Sequence, residues 1–305
     1  MPKAKKRVAV IDLGSNSARL SISDVSDDNI KTLYMEKSRV KLSENMNSDM
    51  LLKEPAVCRT VSVLKDFANI ISKYECDRVF AVATAAVRKA KNGSEFVKTV
   101  FDKTGIELKV ISGEQEAKYD FFGVKSTVKY SDFVIMDIGG GSTEIIGAKD
   151  GELYAFESLP LGSRSITENY LLCETENSIK IAEDEIFKKI RCFKWLEDFS
   201  NVPIIGLGGC LRAVGKYRAA QNDIKLKNNF SVSCCDVKKL YQKLKNISVV
   251  ERSKLEGIGE SRGDIILGGL MPFMAVSKII SATELVVSSS GVRDGLLFEY
   301  KTGFK

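Results

Sequence analysis

Apolar positions in this chain fall in short blocks, each closed by small, polar or glycine residues. Val8-Ala-Val-Ile11, Val79-Phe-Ala-Val82, Phe133-Val-Ile-Met136 and Pro203-Ile-Ile205 are of this kind. Short apolar runs bounded by turn residues predict buried strands. Residues 54–74 instead place Val57, Val61, Leu64, Phe67, Ala68 and Ile71 at helical spacing, which predicts an amphipathic helix. The same reading gives helices over 95–104, 174–199 and from an Asp236 N-cap to Leu244, with strands at 78–83, 106–111 and 203–206. Strands interleaved with helices predict an α/β fold. Residues 27–49 read as polar and turn-rich, with no assigned role.

The most informative stretch is Phe133-Val-Ile-Met-Asp137-Ile-Gly139-Gly140-Gly141-Ser142-Thr143-Glu144-Ile-Ile146. It predicts a strand, a tight turn and an antiparallel return strand. Three successive glycines weaken a strand, so they call for a local reason such as a ligand against the backbone. Exposed N–H groups in such a turn form an anion-binding concavity. Asp137 and Glu144 at its edges could hold a hard cation such as Mg²⁺, which is bound through one or two carboxylates together with substrate phosphates. A glycine-rich hairpin that binds nothing is the alternative.

A second copy of the pattern lies at Val8-Ala-Val-Ile-Asp12-Leu-Gly14-Ser15-Asn16-Ser17-Ala-Arg19. Shifted by 125 positions, Asp12, Gly14 and Ser17 fall on Asp137, Gly139 and Ser142. Residues 79–88 parallel 203–212 with Arg88 and Arg212 in register, and Leu108–Gly113 parallels Leu285–Gly291 more loosely. Matches in one order across both halves predict a duplication, with two similar domains and a cleft between them. Ser15, Asn16 and Ser17 add side-chain donors to the first turn. Arg19 reads equally as a phosphate ligand or a solvated cation.

Thr84 and Arg88 stand where a helix follows a strand, a natural anion site; a surface ion pair accounts for Arg88 as well. Ser112-Gly-Glu-Gln115 resembles a capping box. That explains the acidic Glu114 but not Glu116, which the cap does not require.

The chain has 305 residues and 44% hydrophobic content, enough for two cores. Its +6 charge and pI of 8.8 fit a polyanionic small molecule without implying specific nucleic-acid binding. Histidine is absent, so histidine triads, proton shuttles and metal ligands are excluded and acid–base work falls to carboxylates. Seven scattered cysteines without CxxC spacing fit a reducing compartment. The longest apolar run, Ile265–Val276, is too short for a bilayer, so the expected location is cytoplasmic. Lys3, Lys5, Lys6 and Arg7 form a small basic tail expected to be solvated. Cys210 reads as a packing residue.

Asp12-Leu-Gly-Ser-Asn-Ser17, Ala83-Thr-Ala-Ala-Val-Arg88, Ile111-Ser-Gly-Glu-Gln-Glu116, Asp137–Glu144 and Gly206-Leu-Gly-Gly209 together resemble the exopolyphosphatase/guanosine pentaphosphate phosphatase family. The resemblance runs from about Val8 to Glu299. It implies two duplicated ribonuclease-H-like (actin-like ATPase) domains around an interdomain cleft, residues 1–125 and 126–292, with a closing helix over 293–305 returning to the first. It implies Mg²⁺-dependent hydrolysis of terminal phosphate from inorganic polyphosphate, with guanosine pentaphosphate as the nearest alternative substrate. Glu116 takes the place of the catalytic base, and Gln115 stands where many members carry another glutamate. Arg88 takes the place of a phosphate-binding arginine. Gly14, Ser15, Asn16, Ser17, Arg19, Gly139, Gly140, Gly141 and Ser142 are the expected phosphate contacts, and Asp137 and Glu144 the Mg²⁺ ligands. A homodimer without membrane association is also implied. A superfamily ATP-dependent kinase, kept open by Gly206–Gly209, and a non-catalytic polyphosphate or nucleotide sensor are more distant alternatives.

Overall fold

The computed structural model describes residues 6–26, 29–46 and 49–303. Lys3 and Lys5 of the basic tail, Asp27 of the polar stretch and the last two residues of the closing helix lie outside the described residues. The chain forms two compact units, Met1–Gly123 with Val292–Lys305, and Val124–Gly291.

The first unit opens with β1 (Lys6–Leu13), β2 (Ser17–Val25) and β3 (Ile30–Arg39). It continues with α1 (Glu54–Lys73), β4 (Arg78–Ala83), α2 (Ala85–Lys89), α3 (Gly93–Thr104), β5 (Leu108–Val110) and α4 (Gly113–Lys125). Strand order is β3-β2-β1-β4-β5; the first three are antiparallel, and β4 and β5 join parallel. β1 is central and buries Val8, Ala9, Val10 and Ile11 completely, as a strand covered on both faces must. Helix α1 starts with Pro55 in its first turn and buries Val61, Leu64, Phe67 and Ile71 on one stripe.

The second unit holds β6 (Phe133–Ile138), β7 (Thr143–Lys149), β8 (Glu152–Leu159), α5 (Ser163–Tyr170) and α6 (Glu176–Arg191). Then come β9 (Ile204–Leu207), α7 (Gly208–Gln221), β10 (Phe230–Ser233), α8 (Cys234–Lys245), α9 (Val249–Lys254), α10 (Ile266–Ile279) and β11 (Glu284–Val287). Its sheet runs β8-β7-β6-β9-β11-β10. Five strands repeat the order and sense of the first sheet, and β10 is an added antiparallel edge. Both units are thus ribonuclease-H-like sheets, and the sequence offset of 125 is a repeat of fold. Asp150 and Gly151, both at positive φ, close the β7–β8 hairpin.

Helix α10 is apolar on every side from Ile266 to Val276 and is buried among α5, α6, α7 and α8. Among the described residues no helix is long and apolar enough to cross a membrane. The closing helix, Val292–Thr302, packs Val292 and Leu296 against Val8 and Val10 of β1. Gly295 permits this contact, because a Cβ there would lie 2.0 Å from the Tyr119 carbonyl oxygen.

Three readings change. Residues 30–39, taken as turn-rich, form β3. Residues 174–199 are not one helix: α6 ends at Arg191 and a 3₁₀ turn, Lys194–Asp198, follows. Helix α8 is capped by Ser233, whose Oγ accepts from the Asp236 N–H, so Asp236 sits inside the first turn rather than at the cap.

Candidate active site

In the first unit β1, β4 and β5 run parallel, so their carboxyl ends share one sheet edge. Gly14–Ser17 follows β1, Thr84–Arg88 follows β4 and Ser112–Glu116 follows β5. Backbone bonds lock the edge: Thr84 N–H donates to Leu13 O (3.1 Å) and Ile111 N–H to Ala83 O (3.0 Å). Ligands of open α/β sheets collect at such ends.

The two glycine turns have one geometry. Gly14 N–H donates to Ser17 O at 3.0 Å, and Gly139 N–H to Ser142 O at 3.0 Å. The carbonyls inside both turns are claimed by a later segment. In the first, Ser15 O accepts from Ser43 N–H, and Asn16 O from Val40 and Lys41 N–H. In the second, Gly139 O accepts from Ser163 N–H and Oγ, and Gly140 O from Arg164 and Ser165 N–H, at the start of α5. In a trans peptide N–H points opposite to C=O. The N–H groups of Asn16, Ser17, Gly140 and Gly141 are therefore turned away from those segments. Gly162 is the buttress of the second turn: a Cβ there would come within 2.7 Å of Gly139 O, Gly140 C and Ser142 N.

One rung below each turn the units differ. Asp12 pairs across β1–β2 with Arg19, whose Nη1 lies 3.6 Å from Asp12 Oδ2. At the matched rung of β6–β7, Asp137 pairs with Glu144. Directly opposed residues share one face of a sheet, and like charges there repel. Glu144 is 2% exposed and accepts from Ser158 Oγ at 3.0 Å. Gly208, at φ +83°, lies against Asp137, where a Cβ would be 2.8 Å from Oδ1. Among the described residues no three His, Cys, Asp or Glu gather as a metal cluster. Mg²⁺ needs no such cluster, since it takes one or two carboxylates and leaves the remaining positions to water and phosphate. The Asp137–Glu144 rung fits that demand.

Arg88 and Glu116 come together. Arg88 Nη1 donates to Glu116 Oε2 (3.0 Å) and to Ile111 O (2.8 Å). Among the described residues its Nε and Nη2 donors have no protein partner. The cap of α4 is complete without Glu116: Gln115 N–H donates to Ser112 Oγ (3.1 Å) and Ser112 N–H to Gln115 Oε1 (3.2 Å). Glu116 is only 6% exposed, so its burial is explained by neither cap nor solvent.

Sequence reasoning gave two arginines no place in the site. Arg293, on the closing helix, lies beside Asp12 and Arg19; burial first, then the Arg19 cation, pushes its guanidinium down from the usual range against Asp12 and Asp294. Arg262 lies on Gly209 at the start of α7, where a Cβ would be 2.2 Å from Nη2. Asp12 and Arg19 are far from Arg293 in sequence, and Gly209 is far from Arg262, so the fold reveals both neighbourhoods. Burial pushes the Cys210 thiol up, and its Sγ packs against Gly269, as suits a packing residue.

The model of the Ppx/GppA phosphatase family matches residues 21–302. A bifunctional 3-dehydroquinate synthase/phosphatase of Fusobacterium nucleatum is 33% identical over 95% of this chain and 46% of its own length. A guanosine-5'-triphosphate,3'-diphosphate pyrophosphatase of Pseudoalteromonas atlantica is 28% identical over 95% of this chain and 58% of its own. The chain thus spans about half the length of the curated relatives it matches. The crystal structure of an exopolyphosphatase from Cytophaga hutchinsonii superposes with a TM-score of 0.92 at 26% identity, covering 98% of this chain and 99% of that one. The Aquifex aeolicus PPX-GPPA enzyme gives 0.82 at 29% identity, covering 96% and 99%.

Proposed function

This chain belongs to the Ppx/GppA phosphatase family, and from that premise we propose that it is an exopolyphosphatase, releasing terminal phosphate from inorganic polyphosphate by Mg²⁺-dependent hydrolysis. The observation that carries this reading is the shared edge of the first sheet. There a turn with outward N–H groups, an arginine with two unused donors and a buried glutamate outside its helix cap follow three neighbouring parallel strands.

Backbone N–H groups of Asn16, Ser17, Gly140 and Gly141 bind phosphate oxygens in this reading, those of Gly14 and Gly139, expected contacts from the sequence, being spent on Ser17 O and Ser142 O inside the turns. They are held in place before substrate arrives, so little reorganisation opposes the transition state. Arg88 keeps Nη1 on Glu116 and Ile111 while Nε and Nη2 serve the substrate. Asp137 and Glu144 hold Mg²⁺, which supplies neutralising charge at the phosphate oxygens. Glu116 orients a water and takes its proton as the water oxygen bonds to the terminal phosphorus. The bridging P–O bond breaks, its electron pair leaves with the shortened chain, and orthophosphate departs. Positioning and electrostatics provide most of phosphoryl-transfer catalysis, and these residues provide both.

Guanosine pentaphosphate is the second reading, favoured by the pyrophosphatases among the relatives. Phosphate release from polyphosphate and from guanosine pentaphosphate, compared at matched concentration and Mg²⁺, decides between them. A kcat/KM at least tenfold higher on polyphosphate is expected; the reverse order gives the enzyme to the nucleotide.

A further inference from the structure

The +6 charge of this chain is concentrated in one place. Residues 214–245 contain eight lysines and arginines and two aspartates, leaving thirty-eight of each sign in the rest of the sequence. The segment is α7, β10 and α8, and between these elements lies a cavity of about 170 Å³. Val214, Val232 and Leu240 line it together with Arg218, Lys239 and Lys243.

The fold neutralises these cations only in part: Lys245 pairs with Glu183 at 3.0 Å, outside the lining of the cavity. Asp236, the one acid in the lining, is shared by Arg218 (3.1 Å) and Lys239 (3.8 Å). Among the described residues Lys243 meets only the Tyr217 hydroxyl, 3.3 Å away, and the Tyr217 ring, 5.6 Å from Nζ. Lys216, Lys225, Lys227 and Lys238 of the same segment make no ion pair among the described residues. Clustered like charge opposes folding, so its retention on one segment fits an external polyanion.

We infer that the α7–β10–α8 groove is a second binding site for inorganic polyphosphate, holding chain away from the end being hydrolysed. This rests on the polyphosphate reading of the enzyme. The groove is separate from the glycine turn: Gly208, which lies on Asp137, starts α7, and Arg218 is ten residues, or about 15 Å, further along the helix. Single-stranded nucleic acid fits less well, because it is held by bases stacked on open aromatic faces. Tyr217 is the one aromatic residue in the lining, and Lys243 sits over its ring.

The test uses the whole chain with a chelator present, so that no turnover occurs, and polyphosphate of about a hundred units as probe. The double variant Lys239→Gln/Lys243→Gln should bind it about tenfold more weakly, and the salt slope should fall by about 1.5, roughly 0.7–0.9 for each cation removed. Lys239→Arg/Lys243→Arg should restore binding. With Mg²⁺ present, the Gln variant should show raised KM on the long chain with unchanged kcat, and unchanged turnover of tripolyphosphate. Equal long-chain affinity in wild type and Gln variant overturns the groove, as does tighter binding of single-stranded RNA at the same lysines. Lysine-dependent polyphosphate binding without phosphate release keeps the groove and overturns the hydrolysis reading instead. Release with unaltered affinity and KM does the opposite.

Discussion

Asp137 and Glu144 face each other across one rung of β6–β7, at the rung where the first unit pairs Asp12 with Arg19. The duplication has kept the turn and exchanged a cation for a carboxylate beneath it. Two opposed carboxylates repel, and a cation held between them offsets that repulsion. Glu144→Gln should therefore raise the Mg²⁺ concentration for half-maximal turnover by about tenfold or more, given that even outer partners of metal ligands cost 10–100-fold. Glu157 of β8 is the control, and its Gln variant should titrate as wild type. An unaltered Mg²⁺ titration for Glu144→Gln removes it from the site.

Gly162 presses on the second turn at 2.7 Å from three of its backbone atoms. Its φ of −129° suits any residue, so only space demands glycine. Gly162→Ala must displace the turn or α5. Misplacement of a binding group by about 1 Å costs on the order of 10²-fold in rate, so kcat/KM should fall by about that factor while far-UV circular dichroism is preserved. Full activity would mean that the turn does not position substrate.

Much of this site was legible because its chemistry is contiguous. Asp137, the glycines and Glu144 lie within eight residues, and the copy at Asp12 showed the motif twice. The Arg88–Glu116 bond joins residues 28 apart and depends on β4 and β5 being neighbours. Each residue could be named from sequence, but not their pairing. Arg293 comes near Arg19 and Asp12 on a closing helix that Gly295 lets settle on Tyr119. Strand β3 was missed for a different reason. It is an edge strand whose Lys31, Lys37 and Glu36 interrupt the apolar pattern, a composition that guards edges against pairing with other chains.

Tyr119 ties the closing helix to α4 through its hydroxyl, which donates to Glu299 at 3.1 Å. Burial first, then Glu299, pushes the phenol up to about 12 from 10.0. The folded state thus keeps a proton that the unfolded chain releases. The stability contribution is complete below about pH 10 and is lost as pH rises through 12. Tyr119→Phe should be less stable than wild type at pH 8 by about 1 kcal/mol, the usual net value of such a bond. That gap should close between pH 10 and 12 in denaturant unfolding; a constant gap would show that the proton is not coupled to folding.

Glu116 separates catalysis from structure. It is buried, bonded to Arg88, and unnecessary to a helix cap that Ser112 and Gln115 complete. A carboxylate also repels a polyanion, so a role in binding alone gives it no purpose. Glutamine retains the shape and can still accept from Arg88, but it cannot take a proton from water. Glu116→Gln should cut kcat by roughly 10²–10⁴, the contribution of a positioned general base. Polyphosphate affinity should be equal or better, because one negative charge is gone. A structural ion pair predicts a different pattern: loss of charge beside Arg88 lowers the unfolding temperature while turnover persists. Arg88→Met distinguishes the two further, since it removes phosphate donors and should raise KM as well as lower kcat. Folded Glu116→Gln protein with near-normal kcat would leave the proposed hydrolysis without its base.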